Sequence, residues 1–481
     1  MSRPAHDRAR GCSTDVHVIE DDTERLSTPE ATERAGVRHL WPFVVGAGIV
    51  LAGFDLWSAG YKPAHKFINS AKPPIYGGYA PLFPSRAWIA IGVGVAAVAV
   101  LFILARRERI TPVVALPVAL VASYGFAAAV GFIRGGGAGP YASIVRVGDY
   151  HADTVLARTL GFRTFIKRFP ALIPHLKSVH SVTHPPGPVV LLAFLERLYP
   201  HSVAARAFVL AGLSTLVLVP AWFIAERVAG RRAALVAVSL LGLSPAIAMF
   251  TFTSMDAVFA MVLAVPAALL LWALTKEGNA WLALAGGFVA GLAAFMTYAV
   301  VFVVIAAVIT ALVCLPAKRA IRMLALAAIG GVIGIIVLRV GLGFDLIKSY
   351  RVLRAHTGAE GRPYVYWIFG NAGAWLSFSG IAVVGLAIAS FKRKPAVFVA
   401  ALLGPLLLFN LLPVAISKIA PGETERTWLF TQPFLAAAAG LAFVRWERRT
   451  GARRPNAAFL LLLLLAIGQT IAMQTLFNTL W

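Results

Sequence analysis

The chain has 481 residues, of which 59% are hydrophobic and only 14% charged, and its mean hydropathy is +0.79. A soluble domain carries about a quarter charged residues, so an ordinary globular protein is excluded and a polytopic membrane protein is expected. The formal net charge of +23 needs no nucleic acid, because cytoplasmic loops of membrane proteins concentrate Lys and Arg.

Residues 1–40 are polar and mixed in charge. They read as a disordered cytoplasmic tail without a cleavable signal pattern. Residues 41–481 read as a single transmembrane domain. Apolar runs at 41–57, 87–105, 113–133, 203–224, 233–250, 256–275, 280–297, 299–315, 322–340, 373–391, 395–415, 427–445 and 457–477 each approach the ~20 residues that cross a bilayer as a helix. The expected fold is therefore all-α and polytopic, with about thirteen spans. With the amino terminus inside, the segments "RRER", "ERVAGRR", "AKRAIR", "KRK" and "RWERRTGARR" all fall on the cytoplasmic side, as the positive-inside rule requires. The cysteines, Cys12 and Cys314, fall in the tail and in a predicted helix. They are not expected to pair, and they match no redox or zinc motif.

Between the spans lie long outer segments, 58–86, 134–202 and 341–372, and a short one at 417–426. Loops of that length are uncommon unless they carry function. The largest opens with "RGGGAGP", a flexible hinge. In "DTVLARTLGFRTFIKRF" apolar residues then alternate with Arg158, Arg163, Lys167 and Arg168. This pattern fits an amphipathic helix in the membrane interface, broken near Gly161. Its basic residues serve either as headgroup anchors or as ligands. "HPPGPVVLLAFLERLYP" is too short before its charges to cross, and its prolines fit a first helical turn, so it reads as a second juxtamembrane helix.

Carboxylates are scarce outside the tail and cytoplasmic loops, and an acid at or in the membrane is a functional candidate by default. Asp149 and Asp153 lie in "RVGDYHADTVLARTLG", and Asp153 also suits a helix cap. Asp256 in "TSMDAVFAM" reads equally as a cap or as a site residue. Five of the ten histidines fall between 151 and 201, but their spacing matches no zinc pattern.

In chain order, "GDYHAD", "HPPGP", "AERVAG", "RRAALVAVSLLGLSP" and "SMDAVF" resemble the GT-C superfamily, the polyprenyl-phosphate-dependent membrane glycosyltransferases of the protein O-mannosyltransferase-like and aminoarabinose-transferase-like kind. The likeness extends over roughly 113–445. "AWLALAGGFVAGLAAFMTY" resembles that family's paired short helices, with Tyr298 standing where the family often has lysine, and "ETERTWLFTQPFLAAAAG" resembles its basic residue before a late helix.

The resemblance implies a hexosyl- or pentosyltransferase of the cell envelope, and the Ala- and Arg-rich usage suits a bacterial chain, which would place it in the plasma membrane. Its sugar donor would be linked to polyprenyl phosphate, its acceptor a glycan or a lipid-linked molecule, and its chemistry would occur on the extracytoplasmic face. Transfer with inversion needs one carboxylate as general base and cations for the leaving phosphate. Asp149 is the expected base, Asp153 its reserve, and Asp256 an orienting acid. Arg426, Arg146, Lys167 and Arg168 are the expected donor-phosphate ligands. His184, Tyr298, Glu423 and Glu425 are the expected substrate contacts. No metal ligands are assigned, and the one cofactor left open is a divalent cation. Membrane lipids surround the chain, and no nucleic-acid partner is expected. The competing reading is a multi-pass transporter or lipid-carrier flippase. It is disfavoured because nearly all ionisable residues fall at helix ends or in loops.

Overall fold

The computed structural model describes residues 40–60, 75, 77–107, 110–135, 149–275, 279–356, 364–390, 423–450 and 455–479. The apolar run at 395–415 and nearly all of the tail lie outside them. Among the described residues seven helices are long and apolar enough to cross a membrane, or up to eight if one bent pair counts as a single span. The expected thirteen is thus not met there, and the reasons appear along the chain.

Helix α1 (Trp41–Gly60) is followed by the short strand β1 (Gly77–Tyr79), then α2 (Arg86–Ala105) and α3 (Pro112–Gly131). Pro112 opens α3, where its missing N–H would have no helical partner. The first long loop contains a 3-10 turn, Tyr150–Asp153, then α4 (Thr154–Leu160) and α5 (Phe162–Leu172). The break between them is Gly161, with φ of 75°, a conformation that favours glycine. Helix α6 (Val179–Thr183) and α7 (Gly187–Leu198) complete the loop.

Helices α8 (Val203–Thr215) and α9 (Leu218–Leu243) form one nearly continuous run. The backbone leaves helical angles at Ala229 and Gly230, where φ is 81°, inside the basic segment expected to be a loop. Helix α10 (Pro245–Phe250) precedes α11 (Asp256–Thr275). Helices α12 (Ala280–Ala293) and α13 (Val300–Cys314), of 14 and 15 residues, fall short of a straight crossing. Helix α14 (Ala317–Val337) continues into a π turn, Leu338–Leu342, and α15 (Leu346–His356) follows. Cys314 closes α13; Cys12 lies outside the described residues.

The run expected to cross at 373–391 is broken. Helices α16 (Tyr364–Ser379) and α17 (Ile381–Ser390) meet at Gly380, φ 93°, with their apolar parts bent by 106°. Backbone groups freed at such a break need partners away from water. Gln469 supplies them: its Oε1 accepts the Ile381 N–H at 2.7 Å and its Nε2 donates to the Ser377 carbonyl at 2.9 Å. After α18 (Thr424–Thr427), α19 (Gln432–Thr450) starts later than the run expected at 427–445 and extends into its charged end. Helix α20 (Pro455–Leu476) leads into β2 (Phe477–Thr479), which pairs antiparallel with β1.

Close helix crossings rest on small residues, as expected where lipid leaves packing as the main attraction. A Cβ at Gly287 of α12 would stand 1.9 Å from the Ala327 carbonyl oxygen of α14, and one at Gly330 of α14 2.0 Å from the Leu284 carbonyl oxygen. Two large clusters of buried side chains result. The larger unites α1–α3, α9–α11, α17, α19 and α20. The second joins the loop helices α4, α5 and α7 to the start of α11, through Phe165, Phe169, Leu192 and Phe259.

Candidate active site

The twenty residues of α11 span about 30 Å, so Asp256 and Thr275 mark opposite ends of the bundle. At the Thr275 end the basic segments meet. Arg227 donates through Nε to Thr275 Oγ1 at 3.0 Å and through Nη2 to the Thr275 carbonyl at 2.6 Å. Arg232 donates to the Ala105 carbonyl at 2.6 Å and grips Glu447 through two nitrogens, at 2.9 and 3.3 Å. These cations therefore sit on the negative ends of helices α2 and α11.

At the other end the loop carrying Asp149 is clamped. Gly187, in "HPPGP", donates its N–H to the Phe295 carbonyl at 3.0 Å, and a Cβ there would stand 2.4 Å from that oxygen. Glycine is what lets the loop dock. A second clamp is Glu196 on α7, which is 4% exposed. It accepts from Thr154 Oγ1 at 3.0 Å, meets His151 Nδ1 at 2.9 Å, and pairs with Arg158 at 3.2 Å and Arg206 at 3.4 Å. Burial alone would raise the Glu196 carboxyl. The hydrogen bonds of His151 and Thr154 and the charges of His151 and Arg158 outweigh it and hold the group below its ordinary value.

Asp149 precedes the 3-10 turn, and its carboxylate accepts the Tyr150 N–H at 2.8 Å. Tyr150 turns inward. Its ring lies 5.6 Å from His180 and from His184, and 6.3 Å from Phe259 of α11. His184 stacks on Phe259 at 5.2 Å, and its Nδ1 lies 3.1 Å from the His180 carbonyl oxygen. Burial lowers the His184 pKa, favouring the neutral ring. Burial, and then the charges of Asp256 and Asp149, push the Tyr150 phenol far above its ordinary value, so it stays protonated.

Asp256 and Arg426 form a buried ion pair, 7% and 6% exposed, between Nη1 and Oδ2. Nη2 donates to Glu423 at 2.5 Å. Ser254 donates its hydroxyl to Asp256 Oδ2 at 2.9 Å and accepts the Asp256 N–H at 3.2 Å. Asp256 is thus an ion-pair partner, and the neighbouring serine takes the capping role. Burial pulls the Arg426 guanidinium down, but Asp256 and Glu423 more than restore it, so it stays charged. Glu423 is the one non-glycine with positive φ, 61°, among the described residues, a strained conformation of the kind found at functional sites. Glu425 is buried beside it.

The other expected site residues are more scattered. Asp153 is buried and accepts the N–H groups of Lys177 and Ser178 at 2.9 and 3.1 Å, so its carboxylate holds a turn. Lys167 and Arg168 are exposed on α5. Tyr298 lies edge-on to Tyr350 at 5.6 Å, and its buried hydroxyl has no hydrogen-bond partner among the described residues. Burial, then Tyr350, raises that phenol. Arg146 lies outside the described residues. Sequence reasoning gave no part to Tyr150, Glu196 or Arg206. Glu196 alone left a trace, as an acid within an apolar run.

A family model described as dolichyl-phosphate-mannose-protein mannosyltransferase matches residues 183–342. The match runs from the turn before α7 to the end of the π turn and includes Asp256. Among solved structures, ArnT from Cupriavidus metallidurans in the apo state is similar at 13% identity and a TM-score of 0.43, over 61% of this chain and 66% of that one. The Archaeoglobus fulgidus oligosaccharyltransferase complex with Zn and sulfate is similar at 13% identity and a TM-score of 0.42, over 75% of this chain. The chain spans about half, 53%, of that second protein's length. No curated protein matches the chain.

Proposed function

We propose that the protein is a membrane glycosyltransferase that moves a sugar from a polyprenyl-phosphate donor to a hydroxyl of a glycan or lipid-linked acceptor, with inversion, on the extracytoplasmic side of the plasma membrane. The observation that carries this reading is the packing of the Asp149 loop, through Tyr150 and His184, on Phe259 of α11, about one turn from the buried Asp256–Arg426 pair, with Asp256 inside the segment that matches the mannosyltransferase family model. Asp149 takes the proton of the acceptor hydroxyl as its oxygen attacks the anomeric carbon. The bond from that carbon to the phosphate oxygen breaks, and the lipid phosphate leaves with the electron pair. Arg426, kept charged and aimed by Asp256 and Glu423, stabilises the charge that develops there. Tyr150, a protonated phenol, is a hydrogen-bond donor for the sugar or the leaving oxygen. Among the described residues no three His, Cys, Asp or Glu side chains gather as a metal site.

The test is transfer itself. Purified chain in vesicles receives polyprenyl-phosphate sugars labelled in the sugar, with a panel of hydroxyl acceptors. The expected result is labelled product of inverted anomeric configuration by NMR. Movement of intact labelled donor between leaflets, with no glycosidic bond made, would replace this reading with the flippase one. The bent α16–α17 pair gives that alternative its structural basis.

A further inference from the structure

Two surface helices from different loops lie together at the Asp256 end of the bundle. Helix α5 packs against α15 and against the π turn before it. Their approach is close: a Cβ at Gly343, where φ is 76°, would stand 3.3 Å from Lys167 Cβ. The apolar faces are turned inward, through Phe165, Ile166 and Phe169 on α5 and Leu353 on α15. The outward faces carry Arg163, Lys167, Arg168, Lys348 and Arg351, all exposed. Among the described residues the acid of this surface is Asp345, which pairs with Arg339 at 2.8 Å and accepts the Lys348 N–H at 2.9 Å.

The depth of this surface follows from α14. With its π turn it forms a run of 26 residues, long and apolar enough to cross a membrane, and only 22% of its apolar window is buried inside the protein. Its exposed side carries Ile329, Val332, Ile336 and Val340, a face suited to lipid. Helix α15 begins four residues after that run ends, so it starts at headgroup depth. There it exposes Ile347 (63%) and Tyr350 (46%) beside Lys348 and Arg351. An apolar residue and a tyrosine among cations is the composition of an interfacial segment.

From this we infer that α5 and α15 together form a binding surface for anionic phospholipid headgroups, next to the candidate active site. The partner is the phosphodiester of a bilayer lipid, reached by exposed Lys and Arg while Ile347 and Tyr350 enter the headgroup boundary. The surface does not depend on glycosyl transfer and can be tested without it. It also gives Lys167 and Arg168 a role other than binding the donor.

The experiment uses the full chain in a neutral detergent. Phosphatidylglycerol, phosphatidylcholine or inorganic phosphate is titrated in, and retained lipid is counted by native mass spectrometry while Tm is followed by tryptophan fluorescence. Wild type is compared with Lys167→Gln/Arg168→Gln/Lys348→Gln/Arg351→Gln and, as a control at the basic end, with Lys318→Gln/Arg322→Gln. These side chains are exposed, so unchanged Tm without lipid is expected of each variant. Each basic residue near a membrane surface contributes to anionic-lipid binding. The fourfold variant should therefore bind phosphatidylglycerol about tenfold or more weakly, with the control variant nearer to wild type and phosphatidylcholine without effect. Binding by the fourfold variant within twofold of wild type, or an equal Tm shift from inorganic phosphate alone, would overturn the assignment.

Discussion

The two ends of the bundle use arginine in opposite ways. At the Thr275 end, guanidinium groups rest on helix carbonyls and on partly exposed carboxylates. Arg232 and Glu447 are partly exposed, so their contact is a modest staple. At the Asp256 end, Arg426 is buried between two carboxylates contributed by segments far apart in the chain. Desolvating such a pair is expensive, and it stabilises a fold only weakly compared with apolar side chains of the same size. A buried pair beside a loop-borne acid therefore points to chemistry, while the basic end points to anchoring and orientation.

Breaking one partner at each end tests this contrast. Arg426→Ala leaves Asp256 buried and uncompensated and should destabilise the protein by about 3–5 kcal/mol. Arg232→Ala leaves Glu447 partly solvated and removes hydrogen bonds worth about 1.5–3 kcal/mol. Thermal unfolding in detergent ranks the two, and equal losses would erase the distinction. Between the ends, Gly287→Ala forces a methyl against the Ala327 carbonyl. It should cost about 1–3 kcal/mol by overpacking, visible as a lower Tm without loss of the site's ligand preferences.

A smaller effect concerns the Glu196 clamp. Its folded-state pKa is depressed, so the stability it contributes is present above its ordinary value of 4.5 and is lost as pH falls through the lower folded value. Glu196→Gln should lower Tm at pH 7, and the gap from wild type should close as the solution is acidified below pH 4.5. A gap that stays constant down to pH 3, about 1.5 units further, would show that the carboxylate's charge has no part in the clamp.

Much of this was legible in the sequence because it is local. Apolar runs of about 20 residues announced α1, α2, α3, α11 and α20. "HPPGP" announced a helix start, and the alternation around Gly161 announced an amphipathic helix with a break at that glycine. What stayed hidden depends on contacts between distant residues. Nothing near Asp256 tells of an arginine 170 positions later. Asp153 turned inward because Lys177 and Ser178 present amides to it, a turn with no sequence signature. The break at Gly380 is possible because Gln469, 88 positions away from Ile381, satisfies the backbone. Helices α12 and α13 are shorter than the run-length rule anticipates, since the apolar stretch includes the Phe295–Ala299 turn on which the "HPPGP" loop docks.

Single-turnover transfer by Asp149→Asn tests whether Asp149 removes the acceptor's proton. Asparagine keeps the shape and can still accept the Tyr150 N–H, so Tm and donor binding should hold. The rate should fall by about 10²–10⁴-fold, as expected when a general base is removed, while Asp153→Asn should act mainly on Tm. A rate for Asp149→Asn within a few-fold of wild type, in protein of unchanged Tm and donor affinity, would exclude Asp149 as the general base.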